Sequence, residues 1–220
     1  MPDNPIDEEV LDLNEFAEEQ VNERIRTLFR DSRAVLLTKA DRRDFLCIGL
    51  NEQGHVRIDG DVGDFCFYGN QSAQIEVEGD AGNGCGQWQQ SGSIVIHGQA
   101  GSAFGCFCQG GWLAAYGNAG TRCAAGLKNG EVIVRGSVAE EAAFGMHGGT
   151  LVIGGAAGHG LGRGMQGGTI FIRGDVASLD SELEEFRMKE SDRFKLGLLM
   201  LKAGIKVAGK DFRGYRKIPK

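Results

Sequence analysis

Proline is nearly absent from this chain, with three residues among 220, at positions 2, 5 and 219. Because proline cannot donate a backbone hydrogen bond, its absence from the whole body of the chain suits continuous β-ladders. Glycine, at 36 residues, is about twice as common as its usual share. Glycine without proline is not the composition of a typical linker, so these glycines need a structural explanation.

A long apolar run is also missing. The longest one, LGLLML at residues 196–201, is far shorter than a membrane span. The N-terminal stretch MPDNPIDEEV is acidic and contains no apolar core of a secretory signal. We therefore expect a cytoplasmic chain with no membrane partner.

Positive charge is in the minority, and the formal net charge is −6. This balance argues against a nucleic-acid partner, whose binding depends on cationic contacts to phosphates. Residues 7–23 are acidic and the last eleven residues are basic, and each end fits either a docking segment or a solvated one. The six cysteines are expected to be reduced thiols, because the chain shows no secretion signal and is long enough to build its own core.

A repeat of 19 residues runs through the middle of the chain. A short β-like run ends in glycine seven times, from VRIDG to IFIRG, without one slip in the spacing. We predict that these marker glycines are structural corners, where glycine permits a left-handed φ or a close approach of two backbones. They are Gly60, Gly79, Gly98, Gly117, Gly136, Gly155 and Gly174.

Other columns of residues follow the same register. Fifteen residues after the markers come Ile75, Ile94, Leu113, Val132, Leu151 and Ile170, and seventeen after come Val77, Ile96, Ala115, Val134, Ile153 and Ile172. We interpret the two columns as alternating with polar residues, which is typical of a half-buried strand. One strand per short, exact period, with no helix inside it, predicts an all-β fold: a single-stranded parallel β-helix of six to seven 19-residue coils.

The predicted organisation has three parts. Residues 1–32 form an acidic segment and a capping helix, residues 33–179 the β-helix, and residues 180–220 a C-terminal helix and a basic tail. The first helix presents Phe16, Val21, Ile25, Leu28 and Phe29 on one face, with Asn14 or Asn22 as its cap. Residues 34–38 and 45–50 are predicted to be strands. The second helix, 191–204, has Ser191 as its expected N-cap and Gly204 just beyond its C-terminus.

The stretch GHGLGRGMQGG at residues 158–168 fits the dinucleotide spacing G-x-G-x-x-G at Gly162, Gly164 and Gly167. A dinucleotide loop opens a helix, whereas the next residues here, GGTIFIRGD, repeat the strand pattern. Gly158, Gly162 and Gly168 also recur in an earlier coil as Gly101, Gly105 and Gly111. We therefore assign the stretch to coil geometry and predict no cofactor site. Its residues His159, Arg163 and Met165 could each face a partner, solvent or core.

Cysteines and histidines are the candidate metal ligands. Cys66, Cys85 and Cys123 share a column with Phe104, Ala142 and Leu161, which favours core packing. Cys106 and Cys108 form a C-x-C without a second pair at ligand spacing. The histidines are His55, His97, His147 and His159, and they fall in different columns. His97 shares its column with polar and charged residues, as expected of a solvated face, whereas His147 and His159 lie where a partner could meet them.

No serine, threonine or cysteine comes with a recognisable base, and there is no G-x-S-x-G, P-loop or H-E-x-x-H motif. We predict no catalytic, cofactor-binding or metal-binding residue in this chain. The residues by themselves indicate a rigid scaffold that acts through its surface and shape.

The repeat resembles the GXGXG domain, the right-handed β-helix at the C-terminal end of the large glutamate synthase subunit. In relatives such as N-methylglutamate synthase the domain is a free-standing subunit. The strings that carry the resemblance are VNERIRTL, DRRDFLCIGL, GDVGDFCFYGN, GNAGTRCAAGLKNG and MQGGTIFIRGDVASL, together with the closing helix and DFRGYRKI. Two family features differ: Arg43 is kept but Asp44 stands where histidine is usual, and a Gly-Glu-Asn stretch is replaced by CGQWQQSG.

The resemblance implies a non-catalytic subunit of a multi-subunit enzyme. It implies protein partners, namely a synthase subunit that carries FMN and an iron–sulfur cluster and a glutamine amidotransferase subunit, with an ammonia path between them that this chain helps to define. An alternative is the glycine-rich subunit of a formylmethanofuran dehydrogenase or a formyltransferase/hydrolase complex, which uses a similar β-helix but usually ends soon after its last coil. A third alternative is a stand-alone structural solenoid, against which the two terminal caps argue.

Overall fold

The computed structural model describes residues 8–31, 34–205 and 211–218. Parts of the three predicted regions, at residues 1–7, 32–33, 206–210 and 219–220, lie outside the described residues. The main element is a parallel β-solenoid of about seven 19-residue coils, which confirms the predicted all-β fold. Neither described helix is long and apolar enough to cross a membrane.

Each coil contributes one short strand to a continuous parallel ladder. The strands of this ladder are β2 (Ala34–Thr38), β3 (His55–Ile58), β4 (Gln74–Val77), β5 (Ser93–Ile96), β6 (Trp112–Ala115), β7 (Glu131–Val134), β8 (Thr150–Ile153) and β9 (Thr169–Ile172). From β3 onwards the register advances by one repeat per strand, so Ile75 lies beside Ile94 and Ile94 beside Leu113. The two predicted apolar columns are buried inside the solenoid.

A second ladder, made of isolated parallel bridges, lies two residues after each marker glycine. It joins one small or β-branched residue of each coil to the next, beginning with Val62 to Ala81 and Ala81 to Ala100. The interior of the coils is filled by apolar side chains, with Phe67 and Phe104 among the largest fully buried ones. The solenoid is therefore solid, as expected for a close-packed protein interior.

The N-terminal end of the ladder is extended and covered. Strand β1 (Glu9–Asp12) pairs in parallel with β2, and helix α1 (Glu18–Asp31) buries Val21, Ile25, Leu28 and Phe29 against the first coil. This confirms the predicted apolar face of the helix except for Phe16, which lies before the helix at the end of a 3₁₀ turn and is half-buried against the core. The helix covers the first coil, as expected of a solenoid cap.

The expected caps of this helix are wrong. Asn14 lies in a preceding 3₁₀ turn, whose N-cap is Asp12. Asn22 lies inside α1, where its side chain donates to the Phe45 carbonyl at 2.8 Å and accepts from the Ile48 N–H at 3.3 Å. Asn22 therefore fastens the helix to the first coil instead of starting the helix.

Residues 45–50 form a turn of the first coil and not the predicted strand. Phe45 and Cys47 have left-handed φ values of +56° and +57°, which a strand does not contain. The apolar letters of FLCIGL are those of a coil turn, in which Leu46, Cys47 and Leu50 are buried while Phe45 is exposed.

Helix α2 (Glu190–Lys202) packs along the side of the solenoid. Its residues Leu196, Leu199 and Met200 are buried against the outer face of the ladder, on a column formed by Ala114, Ile133, Val152 and Phe171. The alternation with polar residues therefore holds in β3 and β4 but not in β6 to β9, whose outer positions are apolar and covered by the helix. The sheet edge itself is closed by two antiparallel strands, β10 (Leu183–Phe186) and β11 (Arg213–Lys217), in the order β9-β11-β10.

At the ends of α2, the expected N-cap is wrong and the expected C-terminal glycine is confirmed. Lys189 is the N-cap, and Ser191 lies within the first turn. Gly204 follows the C-cap with a φ of +61°, and the Ile205 N–H donates to the Met200 carbonyl at 2.8 Å. This is the hydrogen-bond pattern of a Schellman motif, for which glycine is the preferred residue.

Candidate functional site

From Gly79 onwards, the marker glycines lie where the backbones of successive coils approach each other closely. Gly117 donates its N–H to the Gly98 carbonyl at 2.7 Å, and a Cβ added at Gly117 would meet that oxygen and the Gln99 nitrogen at 2.8 and 2.9 Å. Of the seven markers, Gly60 alone has a left-handed φ, +99°. From Gly79 onwards, close backbone approach is therefore the reason for glycine.

Left-handed backbone is concentrated on a different part of the coil. In GHGLGRGMQGG, Gly160, Gly162 and Gly164 have φ values of +74°, +69° and +68°, and the residues between them do not. The stretch lies between β8 and β9, as coil geometry predicts. His159 and Arg163 are exposed, whereas Met165 is buried in the core.

The same alternation occurs in the first coil at Phe45, Cys47 and Gly49, and it recurs five, seven and nine residues after each marker from Gly60 to Gly155. We call this part of each coil the turn edge. Its N–H groups donate alternately to the next and the previous coil: Phe65 to the Asn83 carbonyl, Phe67 to Leu46 and Gly69 to Gln87, all within 2.7–2.8 Å. These bonds impose the left-handed conformation on whatever residue occupies the position.

Aromatic residues occupy several of these glycine-like positions. Phe45, Phe65, Trp88 and Phe107 have φ values of +56°, +55°, +58° and +57°. A left-handed φ costs a non-glycine residue about 1–2 kcal/mol. Sequence reasoning missed these four residues, although a column that holds glycine in some coils and an aromatic residue in others was visible in the repeat.

These four aromatic residues of the turn edge are stacked in pairs, and all but the half-buried Trp88 are exposed. Phe45 lies on Phe65 with ring centroids 5.5 Å apart, and Trp88 on Phe107 with centroids 5.3 Å apart. Phe45, Phe107 and Phe144 are 53%, 42% and 39% exposed. Phe45, Phe65 and Phe107 therefore hold exposed rings on a left-handed backbone, against both local conformational preference and the hydrophobic effect. Such conflicts are typical of functional surfaces.

One cleft of about 390 Å³ opens on this edge, and we call it the aromatic cleft. Its main lining residues are Trp88, Phe107, Ala125, Lys128, Phe144 and His147. The Lys128 ammonium lies 5.4 Å from the centroid of the Trp88 ring, within the range of a cation–π contact. Arg122 lies 5.7 Å from the centroid of the Phe144 ring and pairs with Glu141 at 2.8 Å.

A second apolar surface is the outer side of helix α2. Phe194, Leu198 and Leu201 are 71%, 48% and 77% exposed and follow one another at i, i+4 and i+7. Gly197 lies between them in the sequence with no neighbouring atom within 4 Å of an added Cβ. The helix is thus apolar on two sides, and only the inner side is covered by the described residues of this chain.

All six cysteines are free and buried. Cys66, Cys85 and Cys123 point into the core, as predicted. Cys47 is also buried, at the left-handed position of the first coil that corresponds to Phe67 in the next coil. Burial raises the pKa of Cys106 and of Cys108 to about 11, and of Cys47 and Cys123 further still.

His97 lies between two carboxylates on the outer face of the ladder. Its Nε2 is 2.7 Å from Glu76 and its Nδ1 is 3.3 Å from Glu78. Its ring contacts that of Tyr116 in a tilted arrangement, with centroids 4.9 Å apart. These three groups could hold a divalent cation, although an ion-paired histidine explains the same geometry. Sequence reasoning placed His97 beside Glu78 and missed Glu76, which precedes Glu78 by two residues on the same face. His55 is exposed near the start of the ladder, and His147 lies at the aromatic cleft.

Comparisons with known proteins gave one match. A family model described as the GXGXG motif matches residues 8–193, which is most of the chain. Neither the curated proteins nor the solved structures gave a match.

Proposed function

Because the chain belongs to the GXGXG motif family, we propose that it is the non-catalytic β-helix subunit of a glutamate synthase-like enzyme of several subunits. Its partners in this proposal are a synthase subunit that carries FMN and an iron–sulfur cluster and a glutamine amidotransferase subunit. The chain itself then binds no cofactor and performs no chemical step.

The observation that carries the scaffold role is the pair of separate apolar surfaces on one rigid solenoid. The turn edge exposes Phe107 and Phe144, and the outer side of α2 exposes Phe194 and Leu201. Exposed apolar patches on a folded domain mark protein contacts. Two such surfaces, one on the turn part of the coil and one on the helix that covers the ladder, would let one chain hold two partners at a fixed separation.

The packed interior limits how the chain could direct ammonia. Phe67, Phe104 and Ile96 are fully buried inside the coils, together with the inward columns of each coil. A path for ammonia would therefore follow the outer surface at a subunit interface rather than pass through the solenoid. The six free thiols support a reducing compartment, and we propose the cytoplasm.

Affinity purification of the tagged chain from its native source tests this proposal. We expect a flavoprotein with an iron–sulfur cluster and a glutaminase subunit in stoichiometric amounts, and glutamine-dependent formation of an amino acid by the complex. The isolated chain should show no flavin or charge-transfer absorbance. Recovery of tungsten- or zinc-dependent formyl-transfer subunits would instead support the alternative complex.

A further inference from the structure

We propose that the aromatic cleft is a docking site for an acidic segment of a partner subunit. The segment places an apolar side chain between the rings of the cleft and a carboxylate beside Lys128. This inference rests on the proposed role as a subunit, and it assigns one contact of that assembly to named residues.

The first argument is the cost of the rings at these positions. Trp88 and Phe107 occupy the third left-handed position of their turns, where other coils have Gly69, Gly126 and Gly145. A glycine would relieve the backbone strain and expose less apolar surface. In an assembly the cost is offset, because burying an aromatic ring removes about 150–250 Å² of surface from water.

The second argument is the positive charge at the cleft, which indicates that the bound segment is acidic. The chain has a net charge of −6, yet the charged group among the described residues that line the cleft is the Lys128 ammonium, which lies beside His147. The neighbouring Arg122 is already paired with Glu141, which also pairs with Arg163 at 3.0 Å. A cationic, aromatic cleft on an acidic protein complements a segment in which a carboxylate adjoins an apolar side chain.

The third argument is rigidity and size. Hydrogen bonds to the following coil hold the cleft residues: Phe107 N–H to the Ala125 carbonyl at 2.8 Å and Gly126 N–H to the Phe144 carbonyl at 2.7 Å. A preformed cleft loses little conformational entropy when it is occupied. Its volume of about 390 Å³ is at the small end of ligand clefts, which suits one or two side chains and not a folded domain.

Cross-linking in the native assembly tests the location. Phe144 is replaced by benzoylphenylalanine in the tagged chain, the assembly is purified and irradiated, and the cross-linked peptide is sequenced by mass spectrometry. We expect one peptide of a co-purifying subunit, with aspartate or glutamate within a few residues of the attached apolar side chain. A cross-link to a second copy of this chain, to a basic segment, or to no subunit would overturn the inference.

Variants test the two chemical components. Replacing both Trp88 and Phe107 with glycine removes the rings without adding strain, and should lower recovery of the cross-linked subunit at least tenfold. The matched control replaces the other stacked pair, Phe45 and Phe65, with glycine. This variant should recover the cross-linked subunit as well as the wild type does. Lys128→Glu should weaken binding at least tenfold, whereas Arg187→Glu, the same charge change at an exposed site after β10, should not.

Thermal melts of each purified variant confirm that the coil is folded before recovery is compared. Equal losses from the cleft pair and the control pair, or from the two charge reversals, would overturn the inference. The identities of the wild-type partners are a separate readout: an assembly without a flavoprotein or glutaminase contradicts the proposed function, while the cross-link still tests the cleft.

Discussion

The indole ring of Trp88 stacks on the ring of Phe107 in the next coil, and both residues have a left-handed φ. Two neighbouring coils thus place a large side chain where the backbone favours glycine. Hydrogen bonds between coils set the backbone conformation at these positions, and they do not depend on the side chain. Side chains of the turn edge can therefore be exchanged to test their roles directly.

Substitution of alanine by glycine should have opposite effects at two sites of the turn edge. Ala103 has a φ of +59°, and Ala125 does not have a left-handed φ. Ala103→Gly should leave the free energy of unfolding unchanged or raise it by up to about 1 kcal/mol, because the strain is relieved. Ala125→Gly should lower it by about 1 kcal/mol. Urea denaturation measures both, and equal losses would contradict the assigned conformation.

Gly117→Val should destabilise the solenoid by well over the ~1 kcal/mol of an average substitution. The added side chain would meet the backbone of Gly98 and Gln99 in the previous coil, which cannot move without breaking its own hydrogen bonds. Thermal unfolding measures the change. Gly197→Ala is the control: it lies in α2 with open space around it and should stabilise the protein by about 0.5–1 kcal/mol.

The six cysteines should resist modification while the protein is folded. At pH 8, a thiol with a pKa of about 11, as for Cys106 and Cys108, is ionised to about one part in a thousand. A chromogenic disulfide reagent should therefore detect almost no thiol in the native chain and all six in denaturant. Rapid reaction of one native thiol would show that its side chain is not buried.

Acid should weaken the folded state through Asp61 and Glu141. The Asp80 N–H and Arg42 hold the pKa of Asp61 below its ordinary value, and Arg122 and Arg163 do so for Glu141. Their contribution to stability is therefore complete above the unfolded pKa values of roughly 4, and it is lost as the pH falls through the lower folded values.

Asp61→Asn tests this pH dependence, because asparagine keeps an oxygen for the Asp80 N–H but does not titrate in this range. Its urea midpoint should fall less than that of the wild type between neutral pH and about pH 3. An identical fall in both proteins would show that Asp61 does not contribute.

The repeat let the sequence predict the solenoid, its period, its inward columns and the coil geometry of GHGLGRGMQGG. Contacts between coils join residues 19 positions apart, so the tertiary contacts of the solenoid follow the same period as the sequence repeat. The N-terminal helix was also predictable, since its apolar face follows the helical period. The glycines at Gly117 and its equivalents were identified, but the sequence left open whether a left-handed φ or close approach required them.

Only the tertiary structure decided the rest. The position of α2 depends on Leu196 and Leu199 meeting Ile133 and Val152, a contact that no spacing encodes. The left-handed φ of Trp88 and Phe107 contradicts their own propensities, because hydrogen bonds from neighbouring coils impose it. The sequence by itself determined a stack of coils, and the fold determined which of its surfaces remain apolar and exposed.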